Sequence, residues 1–302
     1  MSVFQRFTSI IGWGFLLSLG FGLIMVSISL LIVVVSVSSG GGFEDIKTPH
    51  AVAVVDLSGE MMSATEFRKD LKKQIDNEKI KAVVVRIDSP GGAVGAAEEI
   101  YEAIKTQREE KPIVCSMGNI AASGGVYAAM GCERVVANRG TITGSIGVIM
   151  MLPNFQSLVE RFGLKMRVIK SGQFKDAGSP FREFAVEDRK ILQDLVNAAY
   201  EQFVAVIAEA RELEVEEVKK FADGRIILGE DAKRLNLVDE LGGLDRAAKL
   251  ALELSGETEA SPEIVMPPDK RGLLAKLTGL YQSFDLFYGN GAGHVRLFYR
   301  AL

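Results

Sequence analysis

One arrangement recurs along this chain and narrows the folds open to it: an apolar run short enough for a strand, a glycine-rich turn, then helical spacing. Lys81-Ala82-Val83-Val84-Val85-Arg86-Ile87 runs into Asp88-Ser89-Pro90-Gly91-Gly92, and helical spacing resumes from Ala93 to Gln107. The pattern returns in outline with Pro112–Met117 and the turn at Ser123. It returns again with Arg134–Ala137, Thr141–Ile149 and a helical stretch near Phe155–Phe162. Strands alternating with helices in this way specify an α/β domain around a parallel sheet.

The rest of the chain fits that class. Ala51–Asp56 is a short apolar strand, and Met61–Asn77 carries Phe67, Leu71 and Ile75 at helical spacings of four. Leu164–Ile169 reads as a further strand, followed by an irregular polar stretch from Lys170 to Phe184. Helices are expected over Ala185–Arg211, Val215–Ala222 and Leu244–Ser255, with a strand end at Ile226–Leu228. The domain spans 51–255, long enough to bury a substantial core.

Chemistry concentrates in Gly118-Asn119-Ile120-Ala121-Ala122-Ser123-Gly124-Gly125. A serine on a sharp turn between a strand and a helix exposes its Oγ, and flanking glycines let a substrate backbone approach. Ser123 therefore reads as a nucleophile, although a serine opening a helix also reads as an N-cap. Its proton acceptor must be a lysine or a carboxylate, because the only histidines are His50, beside the linker, and His294, in the tail. Lys175, set among Gly172, Phe174 and Pro180, is the best placed lysine; Lys170 competes, and spacing alone does not choose between them. A lysine serves as a base only when neutral, which requires desolvation or nearby positive charge. Backbone N–H groups at Gly91, Gly92 and Gly124 are available for a developing oxyanion.

Outside this domain the character changes. A short N-terminal segment, 1–9, precedes 28 residues from Ile10 to Val37 without a charged side chain. At roughly 1.5 Å per residue, a helix of that length exceeds a hydrocarbon core of about 30 Å, so 10–37 is expected to be a transmembrane anchor. A cleaved signal peptide is the rival, but its apolar region is shorter, about 7–15 residues. Arg6 before the run, with Glu44, Asp45 and Lys47 after it, favours an inside N-terminus and an extracytoplasmic domain. Residues 38–50 form a Gly/Ser-rich linker. The tail, 256–302, is broken by prolines and then turns basic, and Leu273, Leu277, Leu280, Phe284 and Phe287 fall on one helical face. That face suits a membrane surface or a neighbouring subunit equally. The net charge of −4 argues against nucleic acid as a partner. Two cysteines, Cys115 and Cys132, fit no metal cluster; they pair in an oxidising compartment, but two small buried thiols are the preferred reading.

Four segments in register then carry a resemblance: Asp88-Ser89-Pro90-Gly91-Gly92, Ala122-Ser123-Gly124-Gly125, Thr143-Gly144-Ser145-Ile146-Gly147 and Ser171-Gly172-Gln173-Phe174-Lys175. Their order, and the 52 positions from Ser123 to Lys175, resemble the signal peptide peptidase A family in its short membrane-anchored form. These are Ser/Lys proteases of peptidase family S49 in the ClpP/crotonase superfamily. The resemblance covers about Ala51 to Ser255 and implies a fold of repeated β-β-α units. It implies Ser123 as nucleophile, Lys175 as general base, Ser145 as the hydroxyl that positions the lysine, and Gly91 and Gly124 as the oxyanion hole. It further implies a homo-oligomeric ring in which the serine of one subunit meets the lysine of the next. The implied substrates are apolar peptides such as remnant signal peptides, cleaved without metal or cofactor. Three rivals remain: a membrane serine protease acting on a specific partner protein, a tethered crotonase-type acyl-CoA enzyme, and a non-catalytic membrane scaffold. The crotonase reading leaves Ser123 and Lys175 without a role.

Overall fold

The computed structural model describes residues 46, 48–258, 260–267 and 298–300, with four isolated helical positions at Gly22, Met25, Ser27 and Ile28. The expected anchor, apart from those four, lies outside the described residues, as do most of the linker and the apolar face at 273–287. Among the described residues no helix is long and apolar enough to cross a membrane. The chain divides into two units, and the fold below is that of the unit formed by Ile46–Pro267 and Ala292–Leu302.

Its centre is a mixed sheet. Strand β1 (Ala51–Ser58) pairs parallel with β2 (Ile80–Ser89), in register Ala53↔Val83 and Val55↔Val85. Strand β2 pairs parallel with β4 (Ile113–Ala121), and β4 with β5 (Arg134–Ala137). Strand β6 (Ile142–Gly144), followed by the short helix α4 (Gln156–Arg161), pairs parallel with β4 and antiparallel with β7 (Ile226–Leu228), and β8 (Glu240–Leu241) pairs parallel with β5. The continuous apolar runs of β1 and β2 follow from burial on both faces, as parallel sheets require. On one face Val52, Val54, Val84, Val114 and Val136 pack against Ala247, Ala248 and Ala251 of a helix at Leu244–Leu254. Alternate residues point to the other face, where α1 (Thr65–Ile75) buries Phe67, Leu71 and Ile75, and α2 (Val94–Gln107) buries Ile100 and Ile104. Between β2 and α2 lies β3 (Gly91–Ala93), a three-residue strand whose edge is paired antiparallel by a short strand near the end of the sequence.

Most expected elements are present, and three readings change. Leu164–Ile169 is not a strand: no described strand runs beside it, and Leu164, Met166, Val168 and Ile169 are all more than half exposed. The sheet runs past Ser255, because β9 (Glu263–Val265) pairs parallel with β1 at Ala51–Ala53. Cys115 and Cys132 are not free thiols but a disulfide, with Cα atoms 5.7 Å apart, tying β4 to the turn before β5. The bond closes across the small helix α3 (Gly124–Ala129) that follows Ser123.

Candidate active site

The site is built where β4 ends. In the β2–β4 pairing Ile87 opposes Met117 and Ser89 opposes Ala121, so Asp88 alone stands against Gly118, Asn119 and Ile120. The Asp88 carboxylate fills the bulge, accepting from the Asn119 amide (3.3 Å), Asn119 Nδ2 (3.1 Å) and the Ile120 amide (3.2 Å). Two threonines hold the same strand from the other side. Thr141 Oγ1 donates to the Gly118 carbonyl and Thr143 Oγ1 to the Ala121 carbonyl, each at 2.7 Å. Neither Asp88 nor these threonines had been singled out from the sequence; their signal was only their place inside two of the glycine-rich segments.

Beyond this bulge Ser123 adopts φ 54° and ψ −115°, a left-handed conformation that a non-glycine residue adopts only when its surroundings enforce it. Its amide donates to the Gly144 carbonyl at 2.8 Å, and its carbonyl accepts from the Tyr127 amide at 3.0 Å. The side chain is fully buried, yet Oγ has no hydrogen-bond partner. No side-chain cap is made to α3, so the N-cap reading of Ser123 fails on geometry. A buried hydroxyl without a partner costs about 1–3 kcal/mol.

The Gly91-Gly92 turn lies alongside. Gly91 has φ +103°, open to glycine only, and its amide donates to Ser89 Oγ at 3.1 Å. A Cβ at Gly92 would stand 2.1 Å from the Met61 carbonyl oxygen, so this position tolerates no side chain. The Gly91 carbonyl and the Ala93 amide are taken by the Met61 backbone at 2.9 and 2.8 Å. The backbone of Gly92 is thereby turned to the opposite edge, where strand β10 (Phe298–Arg300) pairs antiparallel, Tyr299 against Gly92. Of the two expected oxyanion donors, Gly124 opens α3, where first-turn amides have no partner within the helix, while Gly91's is engaged by Ser89. Ser145 sits next to this turn with φ 51°, its amide donating to the Arg225 carbonyl at 2.7 Å.

The two candidate lysines separate cleanly. Lys170 Nζ forms an ion pair with Asp176 Oδ1 at 2.5 Å and donates to the Gln173 carbonyl at 2.8 Å. Lys175 is exposed, in a turn closed by its own amide on the Gly172 carbonyl at 3.3 Å, and its amine has no ion-pair or hydrogen-bond partner among the described residues. Lys175 makes no hydrogen bond to Ser123 Oγ. Asp176 accepts from Arg182 as well as Lys170, and these bonds hold its carboxyl down at about 2. No group of His, Cys, Asp and Glu among the described residues is arranged to hold a metal.

The Peptidase family S49 model matches residues 105–257, half of the chain, and the Clp protease family model matches 58–143. A putative protease of Synechocystis is 45% identical over 234 residues, covering 77% of this chain and 84% of that protein. A putative signal peptide peptidase SppA of Enterococcus faecium is 38% identical over 187 residues, 62% of this chain and 54% of that protein. The chloroplastic serine protease SPPA of Arabidopsis thaliana is 32% identical over 216 residues, 71% of this chain but 31% of its own length. Among solved structures, a ClpP1 variant from Listeria monocytogenes covers 65% of this chain and 94% of its own, at 19% identity and a TM-score of 0.44. By the family match and the identity carried across most of the Synechocystis protein, the chain belongs to peptidase family S49.

Proposed function

We propose that this peptidase is a membrane-anchored serine endopeptidase that cleaves apolar peptides, remnant signal peptides among them, with a Ser123/Lys175 dyad completed between subunits. The observation that carries this reading is Ser123, whose buried Oγ has no partner although the backbone is forced into a left-handed turn to present it. An acceptor is missing there, and the one lysine of the 170–175 turn without an ion pair, Lys175, stands exposed with no acid to hold.

In the reaction neutral Lys175 takes the Ser123 proton as Oγ attacks the peptide carbonyl, and the backbone amides of Gly124 and, from the Gly91-Gly92 turn, of Gly92 stabilise the oxyanion. The lysine ammonium then gives its proton to the leaving amine. Water, deprotonated by the same lysine, hydrolyses the acyl-enzyme and frees the serine. Ser145 orients the lysine amine from a backbone position fixed by Arg225. An extended substrate fits the edge of β3, since the backbone of Phe298–Arg300 already occupies it as an antiparallel strand beside α3.

Two further features support the assembly and the location. Large exposed apolar side chains cluster in one stretch, including Met151, Phe162, Leu164, Ile169, Val186 and Leu195. Such a surface fits burial against another copy of the chain, and a neighbouring strand would satisfy Leu164–Ile169. The uncharged run at 10–37 and the disulfide suit a membrane tether and an oxidising, extracytoplasmic compartment. The Enterococcus faecium relative is described as a putative signal peptide peptidase, which agrees with the substrate class.

The test is reaction of the full-length protein in detergent with a fluorophosphonate, read by peptide mass mapping, beside hydrolysis of a fluorogenic apolar peptide. Labelling at Ser123 is expected, with hydrolysis lost in Ser123→Ala and in Lys175→Ala while assembly is retained. Hydrolysis persisting in either variant overturns the dyad, and a folded, assembled protein that neither labels nor cleaves returns the scaffold reading.

A further inference from the structure

The segment that carries Lys175 is closed by four charged groups in alternating sign. Lys170 meets Asp176 at 2.5 Å from the start of the segment. From its end, Arg182 grips the same carboxylate with two nitrogens, Nε to Oδ2 at 3.1 Å and Nη2 to Oδ1 at 3.0 Å, and Nη2 also donates to the Asp176 carbonyl at 3.0 Å. The remaining Arg182 nitrogen, Nη1, donates to the Glu183 carbonyl at 2.9 Å and pairs with Asp188. Asp188 is buried in the first turn of α5 (Val186–Arg211), where it also accepts from the Ala185 amide at 3.4 Å. One guanidinium thus fastens the lysine turn to the end of the longest described helix.

The same contacts determine what Lys175 can pair with. Asp176 is its neighbour in sequence, and a free carboxylate there would bind the amine and keep it protonated, unfit to accept a proton. Both Asp176 oxygens are instead occupied, by Lys170 and Arg182, and Asp188 balances the second cation. The groups facing this carboxylate are therefore Lys170 and Arg182 from its own segment, with Asp188 behind Arg182 from α5. A lysine at position 182 lacks the planar fork that meets two carboxylates at once.

We propose that Arg182 is a positioning residue for the general base: by bridging Asp176 to Asp188 it withholds the Asp176 carboxylate from Lys175 and fixes the turn from which Lys175 reaches the serine. The proposal rests on Lys175 being the base.

The experiment is the pH dependence of kcat/KM for a fluorogenic apolar peptide, with the full chain in detergent, in wild type, Arg182→Gln, Arg182→Lys, Asp176→Asn and the Arg182→Gln/Asp176→Asn pair. Freeing Asp176 in Arg182→Gln is expected to raise the acid limb by about one pH unit, a roughly tenfold loss of rate below that limb. Removing the carboxylate as well, in the double variant, is expected to return the limb toward wild type, and Arg182→Lys to lie between. Asp176→Asn alone is expected to leave the limb at or below its wild-type position, which keeps the idea exposed if Arg182→Gln does not assemble. Rates that fall equally at every pH with the limb unmoved, or a limb raised by Asp176→Asn, overturn it. Activity surviving in Lys175→Ala is a separate outcome and removes the dyad itself.

Discussion

Ser123 and Gly92 show how little freedom the site leaves its residues. Ser123 is held in a left-handed turn by its own amide on Gly144 and by the threonines that pin β4. Gly92 has the Met61 carbonyl where a side chain would begin. Gly92→Ala must push β3 away from Met61, and we expect a loss of stability of about 1–3 kcal/mol together with a larger loss of peptide hydrolysis, read by thermal melting and initial rates. Unchanged hydrolysis in a melted-down variant would separate the turn from the chemistry. Asp176 sets a second expectation. Its carboxyl is held at about 2, against an ordinary 3.8, by hydrogen bonds from Arg182 and then Lys170. A depressed carboxylate stabilises the fold fully above its unfolded value, and the contribution is lost as pH falls through the folded one. The 170–188 segment should therefore keep its protection from hydrogen exchange down to about pH 4 and lose it progressively toward pH 2. Protection constant across that range would contradict the clamp.

At the scale of elements, β10 makes the sharpest prediction. Its backbone occupies the edge of β3 on which an extended substrate is proposed to lie, so on that reading it competes within the molecule. Deleting residues 298–302 is expected to raise the initial rate on a short fluorogenic peptide, and an unchanged rate would mean that substrate takes another path. Neither β9 nor β10 was legible in the sequence, because three-residue strands have no period and exist only through the partner they find. The elements that were legible, β1, β2, α1 and α5 among them, carry their pattern within themselves: buried apolar runs in the first two, helical spacing in the others. Leu164–Ile169 has strand composition and no strand partner among the described residues, so its composition was read correctly and its state was not. Ser123, Gly91 and Lys175 were legible as motif residues; the roles of Asp88 and Arg182 were not, because a bulge and a clamp are made by register and tertiary approach. The disulfide escaped for the same reason, since 17 positions of separation say nothing of a 5.7 Å Cα distance.

At the scale of the whole molecule, we propose that the single chain holds half of a reaction centre. Among the described residues it presents a buried Ser123 Oγ without a hydrogen-bond partner, an exposed Lys175 amine without an ion pair, and large exposed apolar side chains in the 151–195 stretch that contains that lysine. In the proposed assembly a second copy would meet all three needs at once, which is why the dyad is proposed between subunits. The most direct measurement is peptide hydrolysis by an equimolar mixture of Ser123→Ala and Lys175→Ala chains, after subunit exchange has been confirmed by mass. Each variant alone is expected to be inactive, and the mixed assemblies to recover a clear fraction of wild-type activity, because some interfaces then join an intact serine to an intact lysine. Exchanged assemblies that remain as inactive as either variant would place serine and lysine in the same chain and contradict the shared site.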